Sequence, residues 1–305
     1  MALYALINGQ KKKVVSLYGS VNGTSKRIKS LWGSEEGAAK RLFFSSGGES
    51  ETTRIVKTNF HVNGRQTAAN SGPATQLYFY PEDVKQVVIS GTLTGSKTNT
   101  SVTSSYLSIV LRGYKVGATG MSVIKSIGSV YITSTSNTSQ SIDCTVDVDN
   151  IDWATYDQTK PLIFTCSVPT TYFDMEFNLN YDFEIRTNEL KIRQMVSGSA
   201  NDSKSLYPCN FSILDLAEIS KINMSGTVQT ASNTNVLYVN KLDAAGAQTN
   251  LKTFKTTSTS ALAINEDVAS FDTTAFPGIV FRFSPGYSSS DKPSYKEDIL
   301  YTLSL

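Results

Sequence analysis

Short runs of alternating apolar and polar residues, separated by polar turn clusters, recur along most of this chain and leave little room for anything but β-structure. Tyr106-Leu107-Ser108-Ile109-Val110-Leu111, Ser129-Val130-Tyr131-Ile132, Ile142-Asp143-Cys144-Thr145-Val146 and Asn235-Val236-Leu237-Tyr238-Val239 are examples. Successive side chains of a strand point to opposite faces, so each run has one face for a core and one for water. Clusters such as Gly95-Ser96-Lys97-Thr98-Asn99-Thr100 fall between the runs. The spacing, roughly ten residues per strand, suits packed antiparallel sheets. Serine and threonine supply 73 of the 305 residues and aromatics 10%, and β-branched and aromatic side chains fit a pleated, half-buried surface. Only Ala261 to Asp267 and Leu214 to Ser220 have the look of a helical turn, and neither is long enough for an independent helix.

The β-rich region reads as a duplication. Val87-Val88-Ile89-Ser90-Gly91-Thr92-Leu93 matches Ile222-Asn223-Met224-Ser225-Gly226-Thr227-Val228 at an offset of 135 residues. Ile151-Asp152 with Pro161-Leu162-Ile163-Phe164 corresponds to Phe271-Asp272 with Pro277-Gly278-Ile279-Val280-Phe281, at offsets of 116 to 120. Each half ends in an alternating strand, Met175 to Ile185 in the first and Asp298 to Leu303 in the second. The expectation is two related antiparallel β-sandwiches, residues 76–195 and 206–305, joined by a linker at 196–205.

Residues 3 to 44 hold a shorter repeat, 14 residues long and present three times. Leu3-Tyr4-Ala5, Leu17-Tyr18-Gly19 and Leu31-Trp32-Gly33 open the units, and Asn8-Gly9, Asn22-Gly23 and Glu36-Gly37 follow. The basic pairs Lys12-Lys13, Lys26-Arg27 and Lys40-Arg41 come next, and Val14, Ile28 and Leu42 close them. Asn-Gly between short strands is a strong hairpin signal, because a type I′ turn needs positive φ at both central residues. Each unit reads as one hairpin, and since a lone hairpin is marginal in water the three must stack on one another or on a partner. Residues 1–45 carry 8 basic and 2 acidic residues, leaving 20 basic against 24 acidic in the rest, so the net charge of +2 divides into a basic head and a mildly acidic body. Lys12, Lys13, Lys26, Arg27, Lys40 and Arg41 are candidate docking residues for an acidic assembly partner; the plainer reading is lysines that blunt strand edges. Ser/Gly/Thr-rich residues 46–75 read as linker and long loops around a strand-like Arg54 to Asn63.

Chemistry is weakly marked. One histidine, His61, excludes every site that needs two and leaves a single position on which a Ser-His-Asp or Cys-His arrangement could rest; it lies where a strand runs into a turn at Asn63-Gly64. Cys144, Cys166 and Cys209 form no CxxC and read as buried thiols of a chain folded in a reducing cytoplasm. Asp143, Asp147, Asp149 and Asp152 lack the spacing of an EF-hand loop and read as a wet strand face with a turn. The pairs Asp174/Glu176 and Asp182/Glu184 read the same way, although carboxylate pairs of a glycosidase are defined in space rather than in sequence. Dinucleotide, P-loop and hydrolase-elbow motifs are missing. No cofactor or metal is expected. The charge is too balanced for a nucleic-acid binder, no apolar run approaches 18 residues, and the N-terminus does not read as a signal peptide. Aromatics near turns are better candidates for binding. Trp153 and Tyr156 follow the acidic run, Tyr172 with Phe173 follows Pro169, and Phe276, Tyr287 and Tyr295 hold comparable places in the second half. An exposed ring is a platform for the apolar face of a sugar, which makes Tyr172, Tyr287 and Trp153 the candidate ligand-binding residues; the alternative for Trp153 and Phe276 is a plug in the open end of a core.

The units typified by Leu17-Tyr18-Gly19-Ser20-Val21-Asn22-Gly23-Thr24-Ser25-Lys26-Arg27-Ile28 resemble the Tyr-Gly-x-Val-Asn-Gly-x-x-Lys-Arg-Val repeats of tail, baseplate and fibre-type structural proteins of phages of Gram-positive bacteria. The resemblance covers about 42 residues, and the third copy departs from it at Glu35-Glu36-Gly37. It implies a non-enzymatic virion component, assembled in the host cytoplasm, with other virion proteins as partners and a homo-oligomeric state. The sandwich region resembles, in general pattern, the carbohydrate-binding-like β-domains common in such particles, which implies attachment to a host surface or glycan. A purely architectural protein of neck, tail, baseplate or head, and a cell-wall polysaccharide hydrolase, are the alternatives. The expected organisation makes residues 1–45 a removable docking segment and residues 76–305 a soluble, folded fragment.

Overall fold

The computed structural model describes the strands within residues 4–44 by their backbone, and residues 54–66, 74–167, 172–199, 209–217, 219–230, 235–255, 260–268, 277–284 and 294–305. The chain divides into two compact units, Met1–Thr53 and Arg54–Leu305.

In the first unit β1 (Tyr4–Ile7) pairs with β2 (Gln10–Lys13), β3 (Leu17–Val21) with β4 (Thr24–Ile28), and β5 (Ser30–Glu35) with β6 (Ala38–Phe44), all antiparallel. The innermost pairs Ile7↔Gln10, Val21↔Thr24 and Glu35↔Ala38 each enclose two residues and recur every 14 positions. The turn residues themselves, and the side chains of the six basic docking candidates, lie outside the described residues.

The second unit is all β, with no helix among the described residues. Its first eight strands are β7 (Arg54–Gln66), β8 (Ala74–Phe79), β9 (Val84–Lys97), β10 (Ser105–Tyr114), β11 (Met121–Ile132), β12 (Thr138–Asp147), β13 (Leu162–Ser167) and β14 (Phe173–Ile185). The next eight are β15 (Glu189–Ser199), β16 (Cys209–Ile213), β17 (Lys221–Gln229), β18 (Asn235–Leu242), β19 (Gln248–Lys255), β20 (Leu262–Val268), β21 (Gly278–Phe283) and β22 (Ser294–Ser304). They form two antiparallel eight-stranded sheets, ordered β11-β10-β13-β8-β15-β22-β17-β20 and β12-β9-β14-β7-β16-β21-β18-β19. Each set of eight has the same internal order: β7-β14-β9-β12 with β8-β13-β10-β11, then β15-β22-β17-β20 with β16-β21-β18-β19. That is the strand order of a jelly roll, present twice. The two copies share both sheets, because β8 pairs with β15 and β7 with β16, and these two junctions are equivalent under exchange of the copies.

The strand-like Arg54 to Asn63 is a strand, Arg54–Gln66, and it stands not in a linker but inside a sheet, flanked by β14 and β16. Asn63-Gly64 does not turn; both residues stay in the ladder opposite Glu176 and Met175. Ala261 to Asp267 is not a helical turn either, since Leu262–Val268 is an edge strand paired to β17, and Leu214 to Ser220 forms no helix among its described residues. A seven-residue apolar and polar mixture has too weak a period to separate helix from strand, and here the neighbouring ladder decides.

Alternation sets the core. In β14, Phe173, Met175, Phe177, Leu179, Tyr181, Phe183 and Ile185 are buried, and the residues between them are not. Rings pack through the first jelly roll (Phe79 stacked on Phe164 at 5.4 Å, Phe164 tilted against Tyr181 at 5.1 Å) and through the second (Tyr301 tilted at 4.7 Å from both Phe211 and Phe281). The two matching glycines explain the longest sequence match. Gly91 (φ 136°) and Gly226 (φ 148°) lie against β14 and β22, where an added Cβ would stand 2.1 Å from the Asn178 carbonyl oxygen and 2.0 Å from that of Asp298. Only glycine fits such an approach at positive φ.

Candidate functional site

The aromatic residues meet different fates. Trp153 is partly buried against the core, and its indole N–H donates to the Val148 carbonyl at 3.2 Å, so it closes the sandwich end rather than offering a platform. Tyr156 donates its hydroxyl to the Val123 carbonyl. Tyr295 points inward and is fully buried. Tyr287 and Phe276 lie outside the described residues. Tyr172 is exposed, with φ 57°, immediately before β14, and its carbonyl accepts from the Thr98 backbone N–H and hydroxyl.

An exposed aromatic pair that sequence reasoning missed lies at the same end of the first jelly roll. Tyr106, the second residue of β10, faces Tyr131, the penultimate residue of β11, with ring centroids 4.6 Å apart and planes tilted by 31°. They are 59% and 48% exposed, so the pair is a solvent-facing surface rather than part of the core. Their partners in the alternation, Leu107, Val130 and Ile132, are buried and fix the two rings outward. Ile132 occupies the space above Gly95 where a Cβ would stand 2.3 Å from its Cδ1, which clamps the end of β11 onto the opposite sheet. Beside the rings, Ser129, Ser108 and Ser167 stand at one level across β11, β10 and β13. The end of β9 and the loop after β11 meet here through Lys97 N–H on the Ser134 carbonyl, and Thr98 joins Tyr172 to them. Three exposed tyrosines and a row of hydroxyls thus share one end of the fold. The available signal was phase: Tyr106 and Tyr131 occupy the polar positions of strands whose other phase is apolar.

The polar residues that the sequence marks as possible chemistry are paired with neighbours. On the outer face of β7 and β14, Arg65 grips Asp174 through two hydrogen bonds (2.6 and 2.8 Å), His61 Nε2 lies 2.7 Å from Glu176, and Asn59 donates to Asn178 and Asn180. Glu184 pairs with Lys85. The aspartates after β12 staple turns: Asp147 accepts from the Asp149 N–H and the Asn150 amide, and Asp152 accepts from Thr155 and the Ala154 N–H, which holds the Asp152 carboxyl below its usual range. Asp149 binds Arg186. Among the described residues no three metal-ligating side chains gather.

No family model and no curated protein matches the chain. Among solved structures it is similar to the N-terminal CBM22-1–CBM22-2 tandem domain of Paenibacillus barcinonensis Xyn10C, at 13% identity over 83% of this chain and 92% of that one, with TM-score 0.24. It is also similar to a chain of Sulfolobus Turreted Icosahedral Virus, at 8% identity over 95% and 90%, TM-score 0.22. A third is the PBSX exported protein XepA, at 10% identity over 99% and 97%, TM-score 0.19. Likeness this slight assigns neither ligand nor role.

Proposed function

We propose that this chain is a non-enzymatic structural protein of a tailed-phage virion, held on the particle by its basic repeats and carrying the double jelly roll for attachment to a host-surface glycan. The Tyr106–Tyr131 pair carries the attachment reading. Two rings exposed side by side expose apolar area that no part of the described fold covers, and the adjacent serine row supplies hydroxyls to meet those of a sugar. The repeats carry the virion reading, by resemblance and by their basic charge, with neighbouring virion proteins as partners. Display in several copies multiplies a modest affinity per site.

The full chain should bind intact host cells or a glycan array, and Tyr106→Ala with Tyr131→Ala should reduce binding at least tenfold while leaving the unfolding transition in place. Equal binding by the double variant removes the attachment site. An architectural role is favoured by one feature: edge strand β19 is exposed on both faces, with Leu251 46% exposed, and offers a free ladder to a neighbouring subunit. On that reading the chain joins particles but binds no cells. Release of reducing ends from host-wall preparations would instead favour a hydrolase.

A further inference from the structure

Three polar side chains meet where the two jelly rolls join. Gln194 on β15, Cys209 on β16 and Glu297 on β22 are each fully buried. The Gln194 Nε2 donates to Glu297 Oε2 at 2.7 Å and to Cys209 Sγ at 2.8 Å. Glu297 Oε1, Gln194 Oε1 and the Tyr301 hydroxyl have no hydrogen-bond partner. Leaving such groups unpaired in a dry interior weakens folding.

The duplication shows that the fold does not need them. Phe60 faces Leu179 in the first copy as Gln194 faces Ile299 in the second, Phe177 stands two residues before Leu179 as Glu297 does before Ile299, and Thr75 is placed on β8 as Cys209 is on β16. One copy therefore builds this place from two phenylalanines and a threonine, and the other from a carboxamide, a carboxyl and a thiol. The chemistry of that set is specific. A thiol 2.8 Å from a carboxamide nitrogen lies within about 4 Å of the carboxamide carbon, since the C–N bond adds ~1.3 Å.

We infer that Cys209 and Gln194 form an intramolecular thioester, with Glu297 carrying the proton. Sγ attacks Cδ of Gln194, the S–C bond forms and the Cδ–Nε2 bond breaks. The thiol proton passes through the Glu297 carboxyl to Nε2, which leaves as ammonia, and Glu297 returns to its starting state. No oxidant or cofactor enters. Burial pushes the Cys209 thiol and the Glu297 carboxyl well above their usual ranges, so both are neutral and the carboxyl can accept at one oxygen while donating from the other. The same burial keeps out the water that would hydrolyse the product. The bond would tie β15 in one sheet to β16 in the other, the strands that β8 and β7 meet at the junction.

The test is the mass of the purified full chain, denatured at acidic pH. The chain should be lighter than its sequence by one ammonia, about 17 Da, with the loss mapped to a peptide pair joining Gln194 and Cys209. In denaturant two thiols, Cys144 and Cys166, should react with a thiol reagent, and a third should appear after hydroxylamine. Cys209→Ala should restore the full mass, and Glu297→Gln should slow or abolish the loss. A wild-type chain of full mass with three reactive thiols overturns the proposal, whatever the variants do.

Discussion

Asp83 should cost this protein stability between pH 4 and neutral pH, and replacing it with asparagine should remove that contribution. The residue closes the turn between β8 and β9, where its N–H donates to the Tyr80 carbonyl and its carbonyl accepts from the Arg186 N–H. It is 7% exposed; Oδ1 has a long contact from the Thr187 hydroxyl, 3.5 Å, and Oδ2 has no hydrogen-bond partner. Loss of solvent is the main cause that raises the carboxyl from 3.8 to about 6, with repulsion from Glu82 adding to it and the Lys191 charge and N–H opposing it. A folded-state value above the unfolded one means that the folded state holds the proton more tightly. The stability this proton confers is complete below about pH 4 and is lost as pH rises through 6. A shift of that size corresponds to at most ~3 kcal/mol, and residual solvent screening lowers it towards ~1 kcal/mol. Urea unfolding of wild type and Asp83→Asn at pH 4, 5, 6 and 7 should give equal stabilities at pH 4. A gap of about 1–3 kcal/mol in favour of the variant should open by pH 7. A variant no more stable than wild type at pH 7 would refute the reasoning, because the ionised carboxylate would then have found a partner that the geometry does not provide.

Other consequences are simpler to read. Gly91→Ala or Gly226→Ala should cost at least about 3 kcal/mol in denaturant unfolding, since the new Cβ meets a backbone carbonyl that cannot yield, whereas Gly117→Ala, with open space around it, should cost ~1 kcal/mol. Trp153→Phe should cost about 1 kcal/mol through loss of the bond to Val148, and should leave cell or glycan binding unchanged; a loss of binding without loss of stability would return Trp153 to the ligand site. A fragment of residues 54–305 should fold cooperatively and fail to join particles, whereas one starting at residue 76 lacks β7 and should be insoluble or unfolded. Incorporation of the 54–305 fragment at normal levels would remove the docking role of the repeats.

Both the legible and the illegible parts of this fold follow from what a side chain can report. The duplication was readable because Ser-Gly-Thr marks a place where one backbone presses on another, a demand that residue identity records. The junction of the two copies was not, because β7 pairs with β16, and β8 with β15, through backbone groups, and an interior strand of an antiparallel sheet alternates just as an edge strand does. Alternation was still more informative where it was broken. Tyr106 and Tyr131 are rings on the wet phase of their strands, and Gln194 and Glu297 are polar groups on the dry phase, between Ile192 and Val196 and between Tyr295 and Ile299. Leu190, Ile192 and Val196 on β15 and Tyr295, Ile299, Tyr301 and Leu303 on β22 keep the buried phase apolar, so Gln194 and Glu297 do not mark a loosely specified core, and Phe60 and Phe177 show the same geometry filled apolar. Departures of this kind weaken folding where they stand, so they persist where they do something else. Here the outward departures leave two rings exposed side by side at one end of the first jelly roll, and the inward ones set a carboxamide nitrogen 2.8 Å from a thiol.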